Sequence, residues 1–177
     1  MSNPVMVGMA EIKVCCTPDG VLTALGLGSC VGVCVFDPTA HVIGMAHIVL
    51  PKSGGTNTSP GKFADTGVPL LLKEMEAQGA SLFRVRVALV GGAQLFSFQG
   101  SNNRLEVGAR NIQAVQTELS LLRLSVVAED IGGKVGRTVN LHANGIVRVR
   151  SLGQEDRELV DLAQNKEIFG NRLAKVA

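Results

Sequence analysis

Two residues carry the chemistry that this sequence offers. Cys30 has a sulfur that attacks electrophilic carbon once it is deprotonated, and His47 is a side chain whose proton exchange falls near neutral pH. Cys30 follows Gly26-Leu27-Gly28-Ser29. A glycine-rich approach lets backbone N–H groups, those of Gly28 and Ser29 first, converge on a developing oxyanion where side chains would obstruct it. His47 lies in the apolar run from Met45 to Leu50. Taken singly, each residue has a plainer reading, as a small buried thiol and as a satisfied core imidazole. A pairing between them raises the catalytic reading of both.

The elements around them supply that pairing. Val31, Val33 and Val35 alternate with Gly32, Cys34 and Phe36, the two-residue repeat of a half-buried strand that begins at about Cys30. Asp37-Pro38-Thr39-Ala40 supplies turn chemistry, and a second apolar run follows from His41 to Leu50. With those four residues as the loop, Phe36 opposes His41, Cys34 opposes Ile43, Gly32 opposes Met45 and Cys30 opposes His47. Thiol and imidazole then share one face, with Cβ atoms roughly 4.5 to 5.5 Å apart. A one-residue slip would place them on opposite faces.

Other chemistries fit less well. A zinc site drawn from Cys15, Cys16, Cys30, Cys34 and His47 lacks any CxxC spacing, and two of its thiols are neighbours pointing apart in an extended chain. Gly26-x-Gly28 has no third glycine at position 31 and leads into a strand, not the helix that a phosphate loop requires. Ser29 lacks the glycine two residues later that a nucleophile elbow needs. No metal and no cofactor are expected.

Elsewhere, the chain reads as strands in pairs with two helices between. Met6 to Val14 and Val21 to Leu25 read as strands of a hairpin turning at Thr17-Pro18-Asp19-Gly20. The polar stretch from Lys52 to Lys62 is a loop close after His47. A helix capped by Asp65 or Thr66 runs to about Gln78 and stops at Gly79, with Pro69 tolerable only near its first turn. Phe83 to Val90 alternates as a strand ended by Gly91-Gly92, and a loop from Gln94 to Asn103 follows. Ile112, Val115, Leu119 and Leu122 mark a second amphipathic helix from about Gly108, and Leu124 to Ala128 is another strand. Arg137 to Arg150 is a hairpin with the loop Ala143-Asn144-Gly145, pairing Leu141 with Val147 and Val139 with Val149. The expected architecture is α+β, a layered α/β sandwich with a mixed sheet. Residues 1–152 form one domain, and 153–177 a charged, weakly helical tail.

Composition bounds the partners. The chain has 177 residues, 46% of them hydrophobic, with no Trp or Tyr and six Phe, so the core must be aliphatic. A net charge of +2, spread without a basic block and with few aromatic platforms, argues against nucleic acid. The first residues lack the pattern of a secretory signal, and no apolar run reaches the roughly 18 to 20 residues of a bilayer span. Neither Cys15 with Cys16 nor Cys30 with Cys34 suits a disulfide, and free thiols fit a reducing compartment. A cytoplasmic protein without direct membrane insertion is expected.

The blocks LGLGSCVGVCVFDP, GMAHIVLP, SGG, PGKFADT, GGAQLF, GARN and AEDIGG, in that order, resemble the CheD family of chemoreceptor glutamine deamidases over about Ile12 to Arg150. The resemblance implies a protein-glutamine glutaminase with Cys30 as nucleophile and His47 as its histidine. It implies a layered sandwich similar to the cysteine-hydrolase domain of cytotoxic necrotising factor toxins. The implied substrates are glutamines on the cytoplasmic helical bundle of methyl-accepting chemotaxis proteins, and the implied regulatory partner is the CheC phosphatase. The family's third residue is a threonine commonly six residues before the cysteine; that position is Ala24 here, and Thr23 stands one earlier. Strand alternation points those two side chains to opposite faces, so Thr23 takes the role only if the turn before Gly26 is irregular. A non-catalytic adaptor binding the receptor or CheC is the alternative.

Overall fold

The computed structural model describes residues 3–55, 59–95, 106–164 and 166–167. In chain order its strands and helices are β1 (Val5–Met6), β2 (Ile12–Cys15), β3 (Val21–Leu27), β4 (Val31–Asp37), β5 (Val42–Ile48), α1 (Ala64–Ala77), β6 (Arg86–Gly91), α2 (Val107–Leu121), β7 (Val126–Ile131), β8 (Arg137–His142), β9 (Ile146–Ser151), β10 (Arg157–Asp161) and β11 (Lys166–Glu167). They form two mixed sheets, one in the order β1-β3-β8-β9-β10-β11 and the other β2-β5-β4-β6-β7. The α+β layered architecture expected from the sequence is the one observed. No described helix is long and apolar enough to cross a membrane.

The inner strands of the five-stranded sheet, β4, β5 and most of β6, bury both faces, which is why they read as near-continuous apolar runs. Cys34, Phe36, Ile43 and Met45 point between the sheets, where they meet Leu22, Ala24, Leu27, Val139, Leu141 and Val147. Val31, Val33, Val35, Val42, Ala46 and Ile48 point the other way, onto Val68, Leu71 and Met75 of α1 and Val115 and Leu119 of α2. Two aliphatic cores result, one between the sheets and one beneath the helices. Helix α1 starts without a side-chain cap: Asp65, in its first turn, instead accepts from the Ser53 N–H at 3.0 Å, and Pro69 lies in the second turn.

The β8–β9 hairpin has the expected register, Leu141 opposite Val147 and Val139 opposite Val149, and Gly145 in its loop takes φ +91°. Three expectations need correction. The β4–β5 loop is Pro38 to His41 because Asp37 already pairs with Val42; Phe36 therefore opposes Ile43, Cys34 opposes Met45, and His47 opposes Gly32, not Cys30. This register differs by two residues from the expected one, so every side chain keeps its face. The N-terminal hairpin does not form. Strand β2 pairs with β5 in one sheet, β3 pairs with β8 in the other, and the turn at Thr17–Gly20 carries the chain between them. Finally, where a weakly helical tail was expected, Arg157–Asp161 is a strand against β9, its Leu159 and Val160 in the inter-sheet core. The middle of the 52–62 loop, the Gln94–Asn103 loop beyond Leu95 and the tail from 168 lie outside the described residues.

Candidate active site

Cys30 ends the loop from β3 to β4 at one end of the sandwich. It is half-buried and packs against the inter-sheet core. His47, almost fully buried, projects from the same face of β5 as Ile43 and Met45, so imidazole and thiol stand on one side of the sheet. Since Gly32 opposes His47, Cys30 is two residues from the directly paired position. Such diagonal neighbours in a regular ladder are roughly 7 to 8 Å apart at Cα, within reach of long or aromatic side chains.

The N-terminal segment fixes the imidazole. Backbone bonds tie His47 to it on both sides, from the His47 N–H to Glu11 O and from the Ala10 N–H to His47 O, each at 3.0 Å. The ring Nδ1 lies 3.0 Å from Val7 O. A carbonyl only accepts, so Nδ1 carries a proton, and in the neutral ring the lone pair is then on Nε2, the tautomer a base at that nitrogen needs. Burial pushes the Cys30 thiol up, its own backbone N–H offsetting this only in part.

The loop before Cys30 has an ordered backbone. Its three carbonyls are all turned into the protein: Gly28 O accepts from the Ala93 N–H at 2.8 Å, Ser29 O from the Asn111 side chain at 2.9 Å, and Cys30 O from the Gly92 N–H at 2.8 Å. Among the described residues there are no cis peptides, so each C=O here points opposite to the N–H of the next residue. The N–H groups of Ser29 and Cys30 are thus turned away from Ala93 and Asn111. Gly91 is required here, because a Cβ at that position would stand 2.3 Å from Cys30 O on a residue with φ +112°.

Asn111 is a site residue that the sequence reading missed. It is fully buried on α2 and donates through Nδ2 to both Ser29 O and Val49 O, each at 2.9 Å, joining the strand end that carries Cys30 to the one that carries His47. Its Oδ1, also buried, has no partner among the described residues. An unpaired buried acceptor costs about 1 to 3 kcal/mol. The signal was in the spacing: Asn111, Val115 and Leu119 recur every four residues, placing an amide on the buried stripe of the helix.

The structure does not bring Thr23 to this group. Its hydroxyl donates to Asn140 Oδ1 at 2.7 Å, and the side chain lines a shallow concavity on the outer face of the six-stranded sheet with Met6, Leu25, Thr138 and Arg150. Ala24 is the residue that faces the inter-sheet core. The irregularity before Gly26 is real, a bulge between Ala24 and Leu27 with Gly26 at φ +59°, but it comes after Thr23 and does not turn it inward. Among the described residues no group of three or more His, Cys, Asp or Glu is gathered to hold a metal ion.

Residues 49–151 match the CheD family, described as CheD chemotactic sensory transduction. The chain belongs to the CheD family. Among CheD relatives it is 43% identical over 159 residues to the "Probable chemoreceptor glutamine deamidase CheD" of Desulfitobacterium hafniense, covering 89% of this chain and 99% of that protein. It is 40% identical over 163 residues to the "Chemoreceptor glutamine deamidase CheD" of Halalkalibacterium halodurans, covering 90% and 100%. A CheD of Symbiobacterium thermophilum, also named a probable chemoreceptor glutamine deamidase, is 43% identical over 157 residues, covering 86% and 95%. The resemblance seen in the sequence blocks is borne out.

Proposed function

We propose that this CheD protein hydrolyses glutamine side-chain amides on chemoreceptors to glutamate, releasing ammonia, with Cys30 as nucleophile and His47 as general base and acid. The observation that carries the reading is the imidazole whose Nδ1–H is fixed on Val7 O, which leaves Nε2 as the nitrogen to act as base on the face shared with the half-buried Cys30. Nε2 takes the proton from Cys30, and the sulfur attacks the carboxamide carbon. The oxygen of the tetrahedral intermediate gains negative charge, which in this reading the backbone N–H groups at Ser29 and Cys30 meet. The imidazolium then protonates the departing nitrogen as the C–N bond breaks. Water, losing its proton to the same Nε2, attacks the thioester, and the C–S bond breaks to give glutamate and the free thiol.

The receptor targets are glutamines of a cytoplasmic helical bundle, where each conversion adds a negative charge between packed helices. Action there places the protein in the cytoplasm, with CheC as a competitor for the receptor-binding surface. The 52–62 loop, whose Ser53 is tethered to Asp65, rims that surface. The domain runs through β10, since Leu159 and Val160 complete its core. One observation favours a second reading, a non-catalytic adaptor of receptor or CheC. Ala24, at the position of the family threonine, faces the inter-sheet core, while the hydroxyl of Thr23 is held on the outer face by Asn140.

Incubation with a receptor cytoplasmic fragment, followed by peptide mass spectrometry, decides between them. Deamidation that vanishes in Cys30→Ala and falls roughly 10²- to 10⁴-fold in His47→Ala supports the enzyme. Binding without any mass gain supports the adaptor, and full activity in Cys30→Ala removes the nucleophile.

A further inference from the structure

Asn111 does more than fill space beneath α2. Both groups that its amide faces, Ser29 O and Val49 O, are acceptors, so the NH2 end must point at them and the side chain acts there purely as a double donor. One of those acceptors belongs to the peptide unit that joins Ser29 to Cys30. That unit is planar and trans, so holding its oxygen on one side fixes its N–H on the other. The Cys30 N–H is thereby kept by its own sulfur, the place where the reacting carbonyl must sit once a C–S bond forms. On either side the same device recurs with backbone donors, Ala93 N–H on Gly28 O and Gly92 N–H on Cys30 O. The central peptide is the one held by a side chain.

We propose that Asn111 is a positioning residue that locks the Ser29–Cys30 peptide so that the Cys30 N–H, with the Ser29 N–H beside it, forms the oxyanion hole of the deamidation. The proposal rests on the reading of Cys30 as nucleophile. Released from Asn111, the peptide is free to rotate and present its carbonyl to the developing charge. Such a rotation lowers the rate of attack and leaves substrate binding unaltered, while the thiol loses only the small support of its own N–H.

The test uses the full chain carrying Asn111→Ala or Asn111→Asp, the second keeping the shape but replacing the donors with acceptors. Three quantities are measured: steady-state deamidation of a receptor fragment, the rate of Cys30 alkylation by iodoacetamide, and affinity for a peptide aldehyde in which CHO replaces the glutamine CONH2. With the aldehyde, Cys30 sulfur bonds to carbon and the thiol proton passes to the former carbonyl oxygen, so the adduct reports the hole without turnover. The expected result is a kcat lower by roughly 10- to 10³-fold, bounded by the loss of one oxyanion donor. KM stays near wild type, alkylation slows far less than kcat, and aldehyde affinity falls with kcat. An unchanged kcat overturns the proposal, as does a parallel loss of alkylation, which would mean that Asn111 acts through the thiol. Should neither variant fold, the wild-type chain still decides: the Cys30 amide resonance must shift when the aldehyde adduct forms, and an unmoved resonance overturns the assignment. Failure of the underlying reading is separate, since it appears as undiminished deamidation in Cys30→Ala.

Discussion

Asp37 shows how one residue can be legible in type and misread in place. Its turn chemistry was plain in Asp37-Pro38, but the carboxylate does more than start a turn. It accepts from the N–H groups of Thr39, Ala40 and Ser81 and from Arg84, and it closes the β4–β5 ladder by pairing with Val42. That final pair moved the register by two residues, which turn residues alone do not encode. Burial by itself would raise this carboxyl, but the bonds from Arg84 and the three backbone donors outweigh it and hold it at about 2. A folded-state value below the unfolded one of about 3.9 stabilises the protein above that pH, and the contribution is lost as pH falls through about 2. Asp37→Asn is expected to lower stability at neutral pH by on the order of 2 to 3 kcal/mol, with an unchanged m-value in urea, and to flatten the acid limb. Equal acid sensitivity of the two proteins would refute this. At Cys30 and His47, candidate chemistry could be named from residue type; Asn111 was hidden because an amide on an apolar stripe looks like an interruption, not a contact.

Among the elements, α2 decides the most and was located well, its stripe setting Val107–Leu121 to within a residue or so of the expected bounds. What periodicity could not reveal is how close it lies to the loop after β6. A Cβ on Gly108 would stand 2.5 Å from Gly92 O and 2.7 Å from Ala93 O, backbone atoms that cannot swing aside. Gly108→Ala should therefore push the helix outward, destabilising the fold by about 1 to 3 kcal/mol. Since Gly92 and Ala93 hold the Cys30 loop and α2 carries Asn111, kcat should fall as well, and a variant that loses stability but keeps its turnover would show that the helix only packs. The β8–β9 hairpin was legible in full because its parity and Gly145 φ admit one register. The N-terminal turn at Asp19-Gly20 was not, because turn residues encode reversal but not the sheet to which the next strand belongs.

Over the whole molecule, the alternation of apolar residues revealed two faces per strand but not that there are two cores, since a strand buried on both sides looks the same whichever layer lies above it. Cys34 is the probe of the inter-sheet layer. Fully buried, its thiol is pushed up to about 12, while Cys16 is exposed. Native alkylation should label Cys16 and spare Cys34, and Cys34 labelling in rising urea should track the unfolding measured by circular dichroism; early labelling would mean that the sheets part before the fold is lost. The sheets are stitched together by sequence-distant partners: β3 needs β8, β4 needs β6, and the loop between β3 and β4 needs α2. On the ribosome, then, the proposed nucleophile and base are made early and stay inert until α2 and β8 have been synthesised. The deamidase switches on late, once those elements have left the exit tunnel, and a nascent fragment holding only the proposed nucleophile and base threatens no glutamine in the cell.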